Sequence, residues 1–394
     1  MKKLPKDMSG TSEGKVFPVL FMKKSLTVTN IKSIDKSDML GILLDFPQQC
    51  LAAYRIAQNC SLQFQKRNFS KIVFSGMGGS STGAEVVKSY AYFESKLPIS
   101  ILKEYELPGY VDDSTLVFIL SYSGNTEETL SVYKYAKERG ASIIALSSGG
   151  ALKQDCQRDS ATFVELPGGL PSRCALAYLS IIPLCLLARL GLTGDISSSL
   201  DETVNILRNL RDKSLKPNIG QKDNPAKYAA SRLLNKFAVI YSASIHFEAV
   251  AWHLRNQLNE NAKALASSHV LPEMNHNEIV GWQNPRRLFK NFVVVMFQDK
   301  HMHPRVSRRI DLTLEILRKE GVEAIEVWSR GEGILSRIFS LLYIGDFISF
   351  YLAVLYGVDP TPVDRITYLK KRLSRRSTMK LRGLKARGFL ERNT

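Results

Sequence analysis

The chain is poor in the residues that would define a metal protein or a secreted one. Its 394 residues hold five cysteines, Cys50, Cys60, Cys156, Cys174 and Cys185, an odd number with no CxxC pair. No Cys/His ligand spacing accompanies them, which argues against a disulfide framework and a zinc site and makes a reducing, cytoplasmic compartment the default. Six histidines are scattered along the chain. His301 and His303 form an H-x-H pair, but without a third ligand the pair is poor support for a metal. No clean membrane span is expected: 174–188 contains Pro183 and is shorter than a span needs, and 334–356 is interrupted by Arg337 and Asp346 and reads as a buried helix. The first 30 residues lack the apolar core and cleavage site of a secretory signal. A transit peptide or an unstructured extension remains open there.

Acidic residues are also scarce, and the net charge is +17. Most of that excess sits at the ends: residues 1–36 carry +5 and residues 370–394 carry +9. The body is close to neutral. A nucleic-acid partner would therefore meet the tails, and aromatic interleaving in the C-terminal tail is limited to Phe389, so no specific nucleic-acid binding and no membrane binding are expected.

The body reads as α/β. Short apolar runs at 71–76, 115–120 and 142–146 alternate with helical patterns over 82–92 and 127–139. The same rhythm returns with runs at 237–242, 292–297 and 322–328 and a helix over 310–320. Such alternation predicts parallel sheets with right-handed crossovers. The two halves resemble one fold used twice. The expected boundaries are a basic flexible extension over 1–36, a first domain over 37–192, and a linker with a helix over 193–224. A second domain with a C-terminal helix follows over 225–373, and a basic tail over 374–394.

Two loops stand out. GMGGSS (76–81) follows a buried run and precedes a helix. Glycines admit a close backbone approach, and the free N–H groups at a helix start favour an anion. The spacing fits neither a Walker A loop nor the GxGxxG dinucleotide fingerprint. The plain alternative is a tight turn without a ligand. SYSGNTE (121–127) supplies three hydroxyls, Ser121, Ser123 and Thr126, at another helix opening. Ordinary capping by Ser123 or Thr126 would use one of them. Two such loops in one sheet favour a shared anionic ligand at its carboxyl edge.

GMGGSS and SYSGNTEET, with LPSRCALAYL, RNQLNENAKA and PEMNHNEIVGW, together resemble the bifunctional phosphoglucose/phosphomannose isomerases, from about Met39 to about Leu373. The resemblance implies two sugar-isomerase (SIS) domains, each a doubly wound parallel sheet flanked by helices. It implies a homodimer, a sugar-phosphate substrate and no metal or cofactor. The implied activity interconverts glucose 6-phosphate, or mannose 6-phosphate, with fructose 6-phosphate through a cis-enediol. Carried onto this chain, phosphate binding matches Ser80, Ser121, Ser123 and Thr126, with Gly78 and Gly79 close to the sugar. Glu260 matches the base, His276 a ring-opening group lent to the neighbouring subunit, Arg173 the enediolate stabiliser and Lys370 a ring-opening lysine, with Lys371 as its rival. Cys174 departs from the small residue common at that place. Without the resemblance, Glu260 would read as a helix-end carboxylate paired with Lys263 or Arg255, Arg173 as a surface residue and His276 as an exposed loop residue. Glu278, His253 and His269 read as supporting or packing residues. A non-catalytic SIS module that senses a sugar phosphate is the alternative. The isomerase half of glucosamine 6-phosphate synthase is a weaker one, because its glutaminase half needs an N-terminal cysteine.

Overall fold

The computed structural model describes residues 25–64 and 68–376. Most of the basic tail and residues 1–24 of the extension lie outside the described residues.

The chain opens with α1 (Val28–Ile34) and α2 (Met39–Gln58). The first of these corrects the expectation of a loose extension through residue 36. Thr27 caps α1, its Ile31 and Ile34 are buried, and the Asp35 carboxylate takes the backbone N–H of Met39 and Leu40. Two apolar residues one turn apart suffice to dock so short a helix, and Asp35 supplies acceptors for the first free N–H groups of α2.

A regular β/α succession follows: β1 (Lys71–Gly76), α3 (Gly79–Ala91), β2 (Ile99–Leu102), β3 (Thr115–Leu120), α4 (Glu127–Glu138), β4 (Ser142–Ser147), α5 (Gly150–Asp159) and β5 (Thr162–Glu165). After α6 (Leu176–Arg189), α7 (Ser197–Leu210) and α8 (Pro225–Leu233) lead into the second sheet. That half contains β6 (Phe237–Ala243), α9 (Glu248–Glu260), β7 (Ala266–Leu271), the single turn α10 (Glu278–Gly281), β8 (Phe292–Gln298), α11 (Pro304–Lys319) and β9 (Glu323–Trp328). The last helices are α12 (Ile334–Tyr356) and α13 (Asp364–Arg376).

Both sheets are wholly parallel. Their strand orders are β2-β1-β3-β4-β5 and β7-β6-β8-β9. The second repeats the first without its last strand, so one doubly wound fold is used twice. Each order reverses at one place, between β1 and β3 and between β6 and β8, and a crevice forms there at the carboxyl ends of the strands.

Alternation along the strands sorts the core into layers. Phe74 and Phe118, register partners with rings 4.7 Å apart, face inward with Ile72, Leu116 and Ile144. Val73, Val117, Ile119 and Ala145 face outward under α4 and α5. The inner faces of both sheets share one continuous core built around α6 and α12. By length and composition α12 could cross a bilayer, but its apolar window is fully buried between the two halves. Burying a Leu or Phe side chain contributes about 1.5–3 kcal/mol, so α12 is a main source of the cohesion between the halves.

Candidate active site

The loops after β1 and β3 meet at the first reversal. Gly78 has φ +52°, ψ −125°, a conformation that strains any residue with a side chain. Gly79 opens α3, and a Cβ there would lie 2.8 Å from Arg173 Cα and 2.9 Å from the Ser172 carbonyl oxygen. The glycine thus lets the loop press against the 3-10 turn Ser172–Cys174 that carries the arginine. Ser80 is buried, and its hydroxyl accepts the Tyr122 N–H at 3.3 Å, tying the two loops together. Ser121, also buried, donates to the Thr126 hydroxyl at 3.1 Å. Ser123 is exposed and accepts the Asn125 N–H at 3.3 Å.

No side chain caps α3 or α4. The hydroxyls that might have capped α4 are turned to one another or into the loop, and both helices open after neighbouring strands at the first reversal. Uncapped helix openings beside neutral hydroxyls are chemically suited to an anion without a fixed cation.

Arg173 connects this crevice to the second half of the chain. Its side chain is only 6% exposed. Nε donates to Asn261 Oδ1 at 2.6 Å, and Nη2 donates to the carbonyls of Pro360 and Thr361 at 2.7 and 3.0 Å. Nη1 reaches Glu260 Oε2 at 3.4 Å. Of five N–H donors, four are thereby directed, and Nη1 keeps one hydrogen with no partner among the described residues.

Glu260 ends α9, with its side chain 24% exposed. Its carboxylate faces Arg173. Lys263 instead donates to the Glu260 main-chain carbonyl at 2.7 Å and to the Pro360 carbonyl at 3.1 Å, while Arg255 turns to Asn256 and stacks on Trp252. Lys263 sits at φ +56°, just past the helix end. Partial burial, then the nearby Arg173 charge, push its ammonium down to about 8, against the pull of Asp359, Asp364 and Glu260.

Two expected residues are not brought in by this chain. His276 closes a 3-10 turn after β7, exposed and without a hydrogen-bond partner among the described residues. The neighbouring Glu278 anchors that segment: it accepts from Tyr241 Oη at 2.7 Å and pairs with His269 Nδ1 at 3.0 Å. Lys370 lies exposed on α13, six residues beyond its start. The Asp364 end of that helix is close enough to act on Lys263. His301 pairs with Glu332, and His303 caps α11, so the H-x-H spacing has two structural explanations.

Asn261 and the carbonyls of Pro360 and Thr361 were not anticipated, and Lys263 was expected only as a partner of the Glu260 carboxylate. The carbonyls carry no side-chain signal. Asn261 does have one: with His253 and Gln257 it makes a polar series at every fourth position of a helix.

A doubly wound sheet with two uncapped helix openings at its strand-order reversal, and a carboxylate–guanidinium pair beside them, fits the class of SIS-domain sugar-phosphate proteins. Comparison with known sequences agrees. The bacterial phospho-glucose isomerase C-terminal SIS domain profile matches residues 222–373 and the SIS domain profile matches 65–159. The bifunctional phosphoglucose/phosphomannose isomerase of Caldicellulosiruptor bescii is 39% identical over 336 residues, 85% of this chain and 99% of that one. That of Aquifex aeolicus is 34% identical over 82% of this chain and 98% of its own. A glucose-6-phosphate isomerase like protein from Thermus thermophilus shares the fold with a TM-score of 0.58 at 18% identity, over 88% of this chain and 99% of that one. This chain belongs to the bifunctional phosphoglucose/phosphomannose isomerase family.

Proposed function

We propose that the protein interconverts glucose 6-phosphate, and mannose 6-phosphate, with fructose 6-phosphate. The observation that carries the reading is the place of Arg173: its backbone touches Gly79 of the phosphate loop and its side chain touches Glu260. A sugar held by its phosphate at the two helix openings extends along Arg173 toward the carboxylate.

Ser80, Ser121, Ser123 and Thr126 and the helix N–H groups hold the phosphate, with Gly78 and Gly79 leaving room beside the sugar. The Glu260 carboxylate removes the proton from C2 of the open-chain aldose. O1 gains a proton, giving the cis-enediol, and O2 loses its own proton only in the second step, as the C2 carbonyl forms. The same carboxyl then returns its proton to C1, so the product has the composition of the substrate. The remaining Nη1 hydrogen of Arg173 faces the negative charge that develops on the enediolate oxygens. A fixed donor of this kind contributes about 3–4 kcal/mol to a barrier.

In the same reading two copies pair, and the partner subunit's His276 opens the sugar ring together with Lys370. Its support is the exposed, unbonded His276 and the outward apolar row Ile366, Leu369 and Leu373 on α13. The expected compartment is the cytoplasm, in keeping with five free cysteines. The domains are assigned to 37–192 and 225–373, joined by 193–224. A non-catalytic sensor is not favoured, because phosphate binding alone gives no reason for a carboxylate and a buried arginine at the far end of the crevice.

A coupled assay with glucose 6-phosphate and with mannose 6-phosphate tests the reading. Turnover of both is expected. Glu260→Gln should lower kcat by about 10²–10⁴-fold with sugar-phosphate binding kept. A folded wild-type chain that turns over neither sugar would refute it.

A further inference from the structure

Behind Arg173 runs a row of buried polar side chains that the isomerisation does not use. Asn261 accepts from Arg173 Nε and donates through Nδ2 to Ser349 Oγ at 3.0 Å and Gln257 Oε1 at 3.4 Å. Gln257 Nε2 donates to Asp346 Oδ1 at 2.5 Å, and His253 Nε2 meets the same oxygen at 2.6 Å. The Ser349 hydroxyl closes back on the Asp346 carbonyl at 2.8 Å. None of the five side chains is more than a few per cent exposed. His253, Gln257 and Asn261 occupy one stripe of α9, and Asp346 and Ser349 face them from α12.

This stripe is a costly place for polarity. Apart from Arg337 near its start and three serines, α12 is apolar, and its one carboxylate lies in its buried middle. Hydrophobic residues of similar volume would stabilise such a helix pair at least as well. What they could not provide is a fixed acceptor for Arg173 Nε. A lone Asn261 could rotate its amide. With Nδ2 held by Ser349 and Gln257, and Gln257 held by Asp346, its Oδ1 is committed to the guanidinium.

We propose that Asn261 is a positioning residue for Arg173, its orientation set by the buried row Ser349, Gln257, Asp346 and His253. The inference rests on the isomerase reading and deepens it. The Nε contact fixes one edge of the guanidinium plane and the Pro360 and Thr361 carbonyls fix another. Nη1 is then left aimed along the crevice beside Glu260. Preorganised donors act through their placement, so loss of the support lowers the rate without loosening the phosphate grip.

The test uses the full chain with glucose 6-phosphate as substrate. Asn261→Ala should lower kcat by about 10-fold or more, with KM within about twofold of wild type. Arg173→Ala should lower kcat further, and the double variant should be no slower than Arg173→Ala, because Asn261 acts only through the arginine. Guanidinium ion added to Arg173→Ala should restore part of the rate. In the double variant the same recovery should need several times more guanidinium, a shift that general loosening of the fold would not produce. Losses that multiply in the double variant, or a raised KM with unchanged kcat in Asn261→Ala, would overturn the proposal. Should Asn261→Ala fail to fold, Ser349→Ala removes only the Nδ2 anchor. It should lower kcat a few-fold at unchanged KM, and a wild-type kcat there would overturn the proposal. A wild-type chain without turnover sinks the isomerase reading itself, and this inference with it.

Discussion

The two sheets reverse their strand order at equivalent places, yet the two crevices are furnished differently. Between β1 and β3 the loops end in hydroxyls and uncapped helix openings. Between β6 and β8 the same place is filled from within. Asp299, at the end of β8, is almost completely buried and bound by Arg337 Nη1 at 2.5 Å, Ser329 Oγ at 2.6 Å and the His301 N–H at 3.1 Å. The loop after β6 turns away to the first half, where His246 Nδ1 meets the Ser89 carbonyl at 2.8 Å. The second crevice thus carries its own carboxylate with its own cation, and its neighbouring loop helps join the halves. The second half still serves the first crevice, since Glu260, Asn261 and the Pro360–Thr361 carbonyls all come from it. Duplication of a fold duplicated the crevice, and side-chain chemistry made the two copies differ.

Substitution in the two crevices separates these roles. Asp299→Ala leaves Arg337 buried without its partner and should cost about 3–5 kcal/mol of stability, read in a denaturant titration, with KM for sugar phosphate unchanged in the surviving folded fraction. A large rise in KM would mean that the second crevice also takes substrate. In the first crevice, Gly79→Ala places a Cβ against the backbone of Arg173. A displacement of that backbone by a few tenths of an ångström to 1 Å should lower kcat by up to about 10²-fold, with thermal stability changed far less than in Asp299→Ala. Ser121→Ala removes one neutral donor and should raise KM about 10-fold, in line with about 1–2 kcal/mol for a hydrogen bond to a charged group; an unchanged KM would place the phosphate elsewhere.

The smallest effect concerns Lys263. Its folded pKa, about 8, lies below that of a free lysine. Between about pH 8 and pH 10.5 the unfolded chain therefore binds more protons at this residue than the folded chain, and its penalty on folding fades as pH rises. Below pH 8 the penalty is present in full. The unfolding free energy of wild type relative to Lys263→Met should climb across that window by on the order of 1 kcal/mol, reduced by the solvent contact of the ammonium. A flat difference would show that the ammonium is not desolvated in the folded chain.

Legibility from sequence followed burial, with the exposed edge strand β9, read at 322–328, as the exception. Central strands β1, β3, β6 and β8 are continuous apolar runs, buried on both faces, and they could be placed to within a residue. The strands β2, β5 and β7 were not anticipated. They lie at or near sheet edges, are half exposed, and are short or polar, as ASSHVL in β7 illustrates. Helix α11 begins six residues before its apolar pattern does, because Pro304 and a histidine cap start it rather than a buried face. At the site, the phosphate loops could be recognised as strand–turn–helix units with an excess of hydroxyls. Glu260 could be read as a base only through a family pattern, since a helix-end glutamate five residues from an arginine and three from a lysine has an ordinary explanation. The ordinary explanation failed because Lys263 turned to a main-chain carbonyl and Arg173, distant in sequence, took the carboxylate.

Local sequence was enough to read the repeated α/β plan and the two glycine- and hydroxyl-bearing turns, because strand periodicity, glycine freedom and helix openings are local properties. The meeting of Arg173 with Glu260, the contact of Asn261 with the arginine and the filling of the second crevice by Asp299 and Arg337 came only with tertiary packing. Those outcomes depend on which side chains the packed halves bring within hydrogen-bonding reach, and no stretch of chain contains that information alone.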